Sequence, residues 1–102
     1  MLESDLINNV LCKTFVKLYE AGLNTSRSGN ISARNGNTMI ISPSGVAALD
    51  ITPEKFAEVK IGNGEIVGEA LIPSSEWRFH HDIYNHFTET KAIIHTHSSY
   101  AT

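Results

Sequence analysis

A mixed α/β layer structure is predicted by three features of the chain. An apolar stripe at helical spacing fills the first twenty residues, short strand-like runs follow between Asn-Gly and Gly-Asn-Gly turns, and a second helical stretch leads into a β-branched strand. The order is helix, hairpin, strands, helix, strand, with no internal repeat and no low-complexity linker. At 102 residues the chain has room for at most one domain. A domain this short buries about two-thirds or less of the surface its unfolded chain exposes, so marginal stability is expected without a ligand, a partner or more chain.

The first helix carries Leu6, Val10, Leu11, Phe15, Val16, Leu18 and Tyr19 as its apolar stripe, with Ser4 as N-cap and Asp5 in the first turn. Gly22 ends it. Glycine there can take the left-handed conformation, and Leu23 can fold back on Leu18 in a Schellman stop. Residues 24–30 are polar and turn-forming. Residues 31–34 and 38–42 flank Asn35-Gly36-Asn37 and read as a hairpin, because Asn-Gly supplies the positive φ of a two-residue turn. Pro43-Ser44-Gly45 breaks the second strand, and Thr52 with Pro53 marks a short helical start, Thr52 as cap and Pro53 at the first helical position. Residues 56–61 and 65–67, joined by Gly62-Asn63-Gly64, read as another hairpin.

After Pro73, Ser74 and Ser75 are placed to cap a helix with Glu76 in its first turn and Phe79, His80, Ile83, Tyr84 and Phe87 as its inward stripe. Counting 76, 80, 83 and 87 along a 3.6-residue period puts the Glu76 carboxylate on that same face, at the end where the helix dipole favours an anion. Ala92-Ile93-Ile94 begins a strand that runs into His95-Thr96-His97.

Composition narrows the function classes. With 41% hydrophobic and 19% charged residues the chain is of the ordinary globular kind. A net charge of −3 and scattered Lys and Arg give no electrostatic footprint for nucleic acid. The single cysteine, Cys12, reads as a small buried hydrophobe in a reducing, cytoplasmic setting. No apolar run approaches the roughly 18 residues of a membrane span, and the start lacks a basic-then-apolar leader, so no membrane partner is expected.

His95 and His97 are the leading ligand candidates. Residues i and i+2 of a strand project from one face about 6.6 Å apart, so both imidazoles can reach one ion. Two polar strand-end residues are the plainer reading of the same pair. Glu76 adds an oxygen donor, because an inward carboxylate must be paired, protonated or bound to a cation; its plainer reading is a first-turn acid that swings to solvent. Two nitrogens and one oxygen suit zinc and need at least one further donor. A second group consists of anion-binding elements: Ser28-Gly29-Asn30, Ser44-Gly45 and the Ser74-Ser75 helix start, each offering backbone N–H groups or hydroxyls. Singly, each is only a turn or a cap. Arg27 and Arg34 could assist a phosphate, though surface arginines usually do nothing so specific, whereas His80, His81 and His86 read as ordinary helix residues and Trp77, Tyr84 and Phe87 as core.

The run Leu71-Ile72-Pro73-Ser74-Ser75-Glu76-Trp77-Arg78-Phe79-His80, the His95-Thr96-His97 that follows it, Gly29-Asn30-Ile31-Ser32 and Ser42-Pro43-Ser44-Gly45 together resemble the class II aldolase/adducin family, in its sugar-phosphate aldolase branch. The resemblance covers essentially the whole chain. It implies a three-layer α/β/α fold with a mostly antiparallel sheet, of which residues 1–102 would be the N-terminal portion of a single domain, truncated before the metal site is complete. It puts Glu76, His95 and His97 at three positions that bind Zn2+ or another divalent ion, and Gly29, Asn30, Ser44, Gly45, Ser74 and Ser75 at the phosphate-binding positions. A third histidine ligand would lie further downstream.

The implied reaction is aldol cleavage of a fuculose 1-phosphate-like ketose 1-phosphate to dihydroxyacetone phosphate and an aldehyde. The ion would act as Lewis acid, and Glu76, displaced from it by substrate, would carry the proton. A small sugar phosphate is the implied partner, within a homo-oligomer that is a tetramer in complete family members. Turnover by the 102-residue form alone is expected to be small or absent. Two other readings stay open: a pentulose-phosphate 4-epimerase of the same family, and a non-catalytic adducin-like or vestigial binding module.

Overall fold

A computed structural model of the chain describes residues 3–24, 29–68 and 72–96, with side chains from residue 6 onward. The N-terminal helix α1, Glu3–Glu20, already includes Ser4, so the helix begins before the expected cap. Its C-terminus follows the Schellman pattern: Gly22 has φ +78°, the Leu23 N–H donates to the Leu18 carbonyl at 3.0 Å and the Gly22 N–H to the Tyr19 carbonyl at 3.0 Å.

The buried face of α1 is shifted from the expected stripe. Leu11 and Phe15 enter the core with Ile7, Cys12, Val16 and Tyr19 packed beside them, whereas Leu6 and Val10 are 52% and 62% exposed. Positions 7, 11, 15 and 19 form one line on a 3.6-residue helix; 6 and 10 sit on its flank, where the packing against the sheet stays open. There they line an open apolar groove of about 340 Å³ with Ile31, Ala33, Ala92 and Ile94.

Five strands form one sheet: β1 (Asn30–Asn35), β2 (Thr38–Ile41), β3 (Ala57–Lys60), β4 (Ile66–Val67) and β5 (Ala92–His95). Their order is β4-β3-β2-β1-β5, and every neighbouring pair is antiparallel. The β1–β2 hairpin closes with Asn35 opposite Thr38, so its two-residue loop is Gly36-Asn37. Only the glycine has positive φ, +61°, which puts the glycine at the first central position as in a type II′ turn, not the Asn-Gly order expected. Between β2 and β3, residues 53–55 form one 3-10 turn with Pro53 at its start; Thr52 occupies the cap position without a capping side-chain bond.

Helix α2, Trp77–His86, begins one residue later than expected, with Glu76 at its N-cap. Ser74 serves that start differently from a cap: its Oγ accepts the Glu76 N–H at 3.3 Å. His80 and Tyr84 form the buried line of α2, while Phe79 and Phe87 are 52% and 64% exposed. Phe87 already lies past the helix end, where its non-helical backbone (φ −121°, ψ 83°) takes it off the line that helical phase assigns it.

Alternation along the strands produces three layers. Ile31 and Ile40 face α1 and pack with Leu11, Phe15, Ala48, Ile51 and Phe56. Met39, Ile41, Ala57 and Val59 point the other way and pack with Ile61 and Tyr84, with Trp77 and Ile93 alongside. The sheet is therefore sandwiched between α1 and α2. Burial of a side chain such as Phe15 or Met39 contributes about 1.5–3 kcal/mol.

Candidate active site

The site lies where β5, β1 and the N-terminus of α2 meet. Pairing of β1 with β5 sets His95 directly opposite Asn30 and Ser32 opposite Ile93, so Asn30, Ser32 and His95 share the sheet face that α2 covers. Glu76, at the α2 N-cap, reaches into this row: its Oε2 lies 3.4 Å from His95 Nδ1. The two side chains are each a little over one-third exposed, so the pair is open to solvent on one side.

A buried polar network supports the pair from below. The Asn30 side-chain amide donates to Glu76 Oε2, and its carbonyl oxygen contacts His80 Nε2. His80 Nδ1 lies 2.6 Å from Ser32 Oγ, which in turn lies 2.8 Å from the Tyr84 hydroxyl. His80, Ser32 and Tyr84 are fully buried and Asn30 nearly so. Burial chiefly, and then His95, lowers the His80 pKa to about 4 against an opposing pull from Glu76, so its ring is neutral at pH 7. Burial likewise raises the Tyr84 phenol, opposed by Ser32 and Arg34. The exposed Phe79 ring leans over His95, with centroids 5.7 Å apart.

The three segments expected to bind an anion lie next to one another, clasped by the buried Ser42. Ser42 Oγ accepts the Ile31 N–H at 3.1 Å, the Ser42 N–H donates to the Ile31 carbonyl at 2.9 Å, and the Ser42 carbonyl accepts the Ser74 N–H at 2.9 Å. A bridge between Pro43 and Pro73 and the Ser44 N–H bond to the Ile72 carbonyl, 2.9 Å, complete the clasp. Gly29-Asn30, Ser44-Gly45 and Ser74-Ser75 are thus brought to neighbouring turns beside Glu76.

The N–H groups of Ser44 and Ser74 are consumed by the clasp, so these two residues can offer an anion their hydroxyls but not, as expected, their backbone donors. Ser44 and Ser75 are exposed and Ser74 is buried. Gly29 has φ +84°, and a Cβ there would sit 2.2 Å from Asn24 Oδ1, which only glycine avoids.

Arg34 is engaged at the end of α2 away from Glu76 and His95. Its guanidinium donates to the carbonyls of Thr90 at 2.8 Å and Tyr84 at 2.9 Å and lies over the Tyr84 ring, fastening the C-terminal end of α2. Arg27, Ser28, Leu71 and His97 lie outside the described residues. Among the described residues no three His, Cys, Asp or Glu side chains converge on one point. Glu76 and His95 nonetheless fit a divalent ion: two donors about 2.0–2.1 Å from a tetrahedral zinc stand roughly 3.3 Å apart, close to the spacing of this oxygen and nitrogen.

The family model described as the Class II Aldolase and Adducin N-terminal domain matches residues 9–102. The chain belongs to this family. A 5-methylthioribulose-1-phosphate/5-deoxyribulose-1-phosphate aldolase of Rhodospirillum rubrum is 42% identical over 81 residues, 79% of this chain and 36% of that protein. The L-fuculose phosphate aldolase of Escherichia coli is 31% identical over 101 residues, 99% of this chain and 46% of that protein. A solved L-fuculose 1-phosphate aldolase superposes with a TM-score of 0.86 at 34% identity, over 98% of this chain and 47% of the other. The chain thus spans about half or less of the length of these relatives. The three-layer arrangement around an antiparallel sheet is the class II aldolase fold.

Sequence reasoning missed the network under the pair. His80 is the i+4 neighbour of Glu76 and Tyr84 the next position on that line, while Ser32 shares a strand face with Asn30. That phase relation was the available signal.

Proposed function

We propose that this chain is the N-terminal portion of a metal-dependent aldolase that cleaves a ketose 1-phosphate into dihydroxyacetone phosphate and an aldehyde. The carrying observation is the 3.4 Å approach of Glu76 to His95 beside the clasped serine and glycine turns. Glu76, His95 and His97 would hold Zn2+ or another divalent ion, with the downstream portion of the domain supplying the remaining ligand. A bound ion would supply Lewis acidity toward the ketose.

Glu76 is the proton carrier. It stands beside His95, next to the proposed ion position, and a carboxylate beside a cation can take or return the proton at C3 of the dihydroxyacetone phosphate half. Gly29, Asn30, Ser44, Gly45, Ser74 and Ser75 form the phosphate pocket, with the Ser44 and Ser75 hydroxyls and the positive end of α2 facing the dianion. Ketose phosphates appear in the names of the relatives, which supports this substrate class. We assign the protein to the cytoplasm on its single, half-buried cysteine, and assign it a homo-oligomeric assembly, a tetramer when complete, on the family resemblance.

The test is aldol cleavage by the intact protein, assayed with L-fuculose 1-phosphate, 5-methylthioribulose 1-phosphate and, for the epimerase reaction, ribulose 5-phosphate. Release of dihydroxyacetone phosphate that stops on chelation supports the reading. Epimerisation without cleavage, or no turnover with any of the three, contradicts it.

A further inference from the structure

The hydrogen-bond chain under the site has one consistent direction. An ionised Glu76 is an acceptor only, so the Asn30 group facing it must be the amide NH2, which turns the Asn30 oxygen toward His80. That oxygen is also an acceptor only, so the His80 nitrogen facing it, Nε2, must carry the proton. In a neutral imidazole Nδ1 is then an acceptor, the Ser32 hydroxyl donates to it, and Ser32 Oγ receives the Tyr84 O–H. Reversing any one member puts two acceptors or two donors face to face in a region with almost no access to water.

From this chain, and resting on the aldolase reading above, we infer that His80 is a positioning residue: as the Nε2–H tautomer it fixes the Asn30 amide, which orients the Glu76 carboxylate toward His95. His80 touches neither substrate nor ion in this arrangement; it acts through Asn30. The Tyr84 hydroxyl anchors the far end, and the Arg34 guanidinium over its ring and on its carbonyl holds Tyr84 in place. Without the His80 donor the Asn30 amide is free to rotate, and an oxygen turned toward Glu76 would repel the carboxylate from its place beside His95.

Two measurements on the intact protein decide it. Nitrogen-15 spectra of the histidine rings at pH 7 are expected to show His80 protonated at Nε2 and bare at Nδ1; the opposite tautomer, or an even mixture, overturns the inference. Ion affinity and the kcat and KM for cleavage are then compared in His80→Gln and His80→Leu. Gln keeps both an N–H for Asn30 and an acceptor for Ser32, so it should remain within a few-fold of the wild type, whereas Leu should lose about 10–100-fold in ion affinity or kcat, as removal of ligand-orienting partners typically does. Equal behaviour of the two variants overturns the inference. Should the Leu variant fail to fold, Asn30→Ala replaces it: loss of the acceptor facing Nε2 should mix the tautomers, and an unchanged spectrum counts against the chain. Wild-type protein that binds no divalent ion refutes the aldolase reading, while the tautomer spectrum still decides the orientation of Asn30.

Discussion

His95 Nδ1 stands 3.4 Å from Glu76 Oε2 although one residue closes β5 and the other caps α2. The antiparallel pairing of β5 with β1 and the packing of α2 across the same sheet face produce that approach, so the pair depends on the whole three-layer arrangement.

If Glu76 carries the proton, Glu76→Gln keeps the side-chain volume and removes the base. Cleavage by the intact protein should fall by about 10²–10⁴ in kcat with the fold retained. A steady-state assay with circular dichroism as fold control measures this; a loss of less than tenfold would assign the proton to another group.

Stability should depend on pH through His80. Its folded pKa, about 4, lies below the ordinary 6.5, so the unfolded chain takes up a proton that the folded chain resists. The stabilisation is complete above pH 6.5 and is lost as the pH falls from there toward 4, amounting to a loss on the order of 3 kcal/mol across that window. Denaturant titrations at pH 7 and 4.5 should show it, and His80→Gln should flatten the difference.

Gly29→Ala should destabilise by about 1–3 kcal/mol, combining a positive φ with a Cβ placed against the buried Asn24 amide. Gly36→Ala shares the positive φ but meets open space, so its cost should be the smaller of the two, about 1 kcal/mol. Thermal melts of the two variants side by side check the ordering.

Leu11→Ala should cost about 2–5 kcal/mol, while Val10→Ala, on the groove side, should change stability by less than about 0.5 kcal/mol in this 102-residue chain. Equal losses would mean that Val10 is buried in solution.

Much of this was legible from residue order. Gly22 and Leu23 announce the Schellman stop, the glycines at 36, 62 and 64 separate the strands, and helical phase puts Glu76 on the inward face, from which a meeting with His95 is open but not required. What periodicity cannot decide is which of two adjacent phases a neighbour covers. Leu6 and Val10 are as apolar as Leu11 and Phe15, yet only the second pair is buried. Phase did put His80 on the inward face with Glu76, but it does not name the partners of this histidine. Its role depends on Asn30 and Ser32 from a strand distant in sequence, and an isolated helical histidine carries no mark of such partners. Charge alone left the role of Arg34 open, and its position beside the end of α2 gives it carbonyl oxygens as partners.

The most direct test of the central claim is the divalent-ion content of the intact protein, purified without chelator, beside Glu76→Ala and His95→Ala. About one ion per chain in the wild type, lost or sharply reduced in both variants while they remain folded, is the predicted result. A wild type without bound ion, or ion content unchanged in both variants, would contradict it.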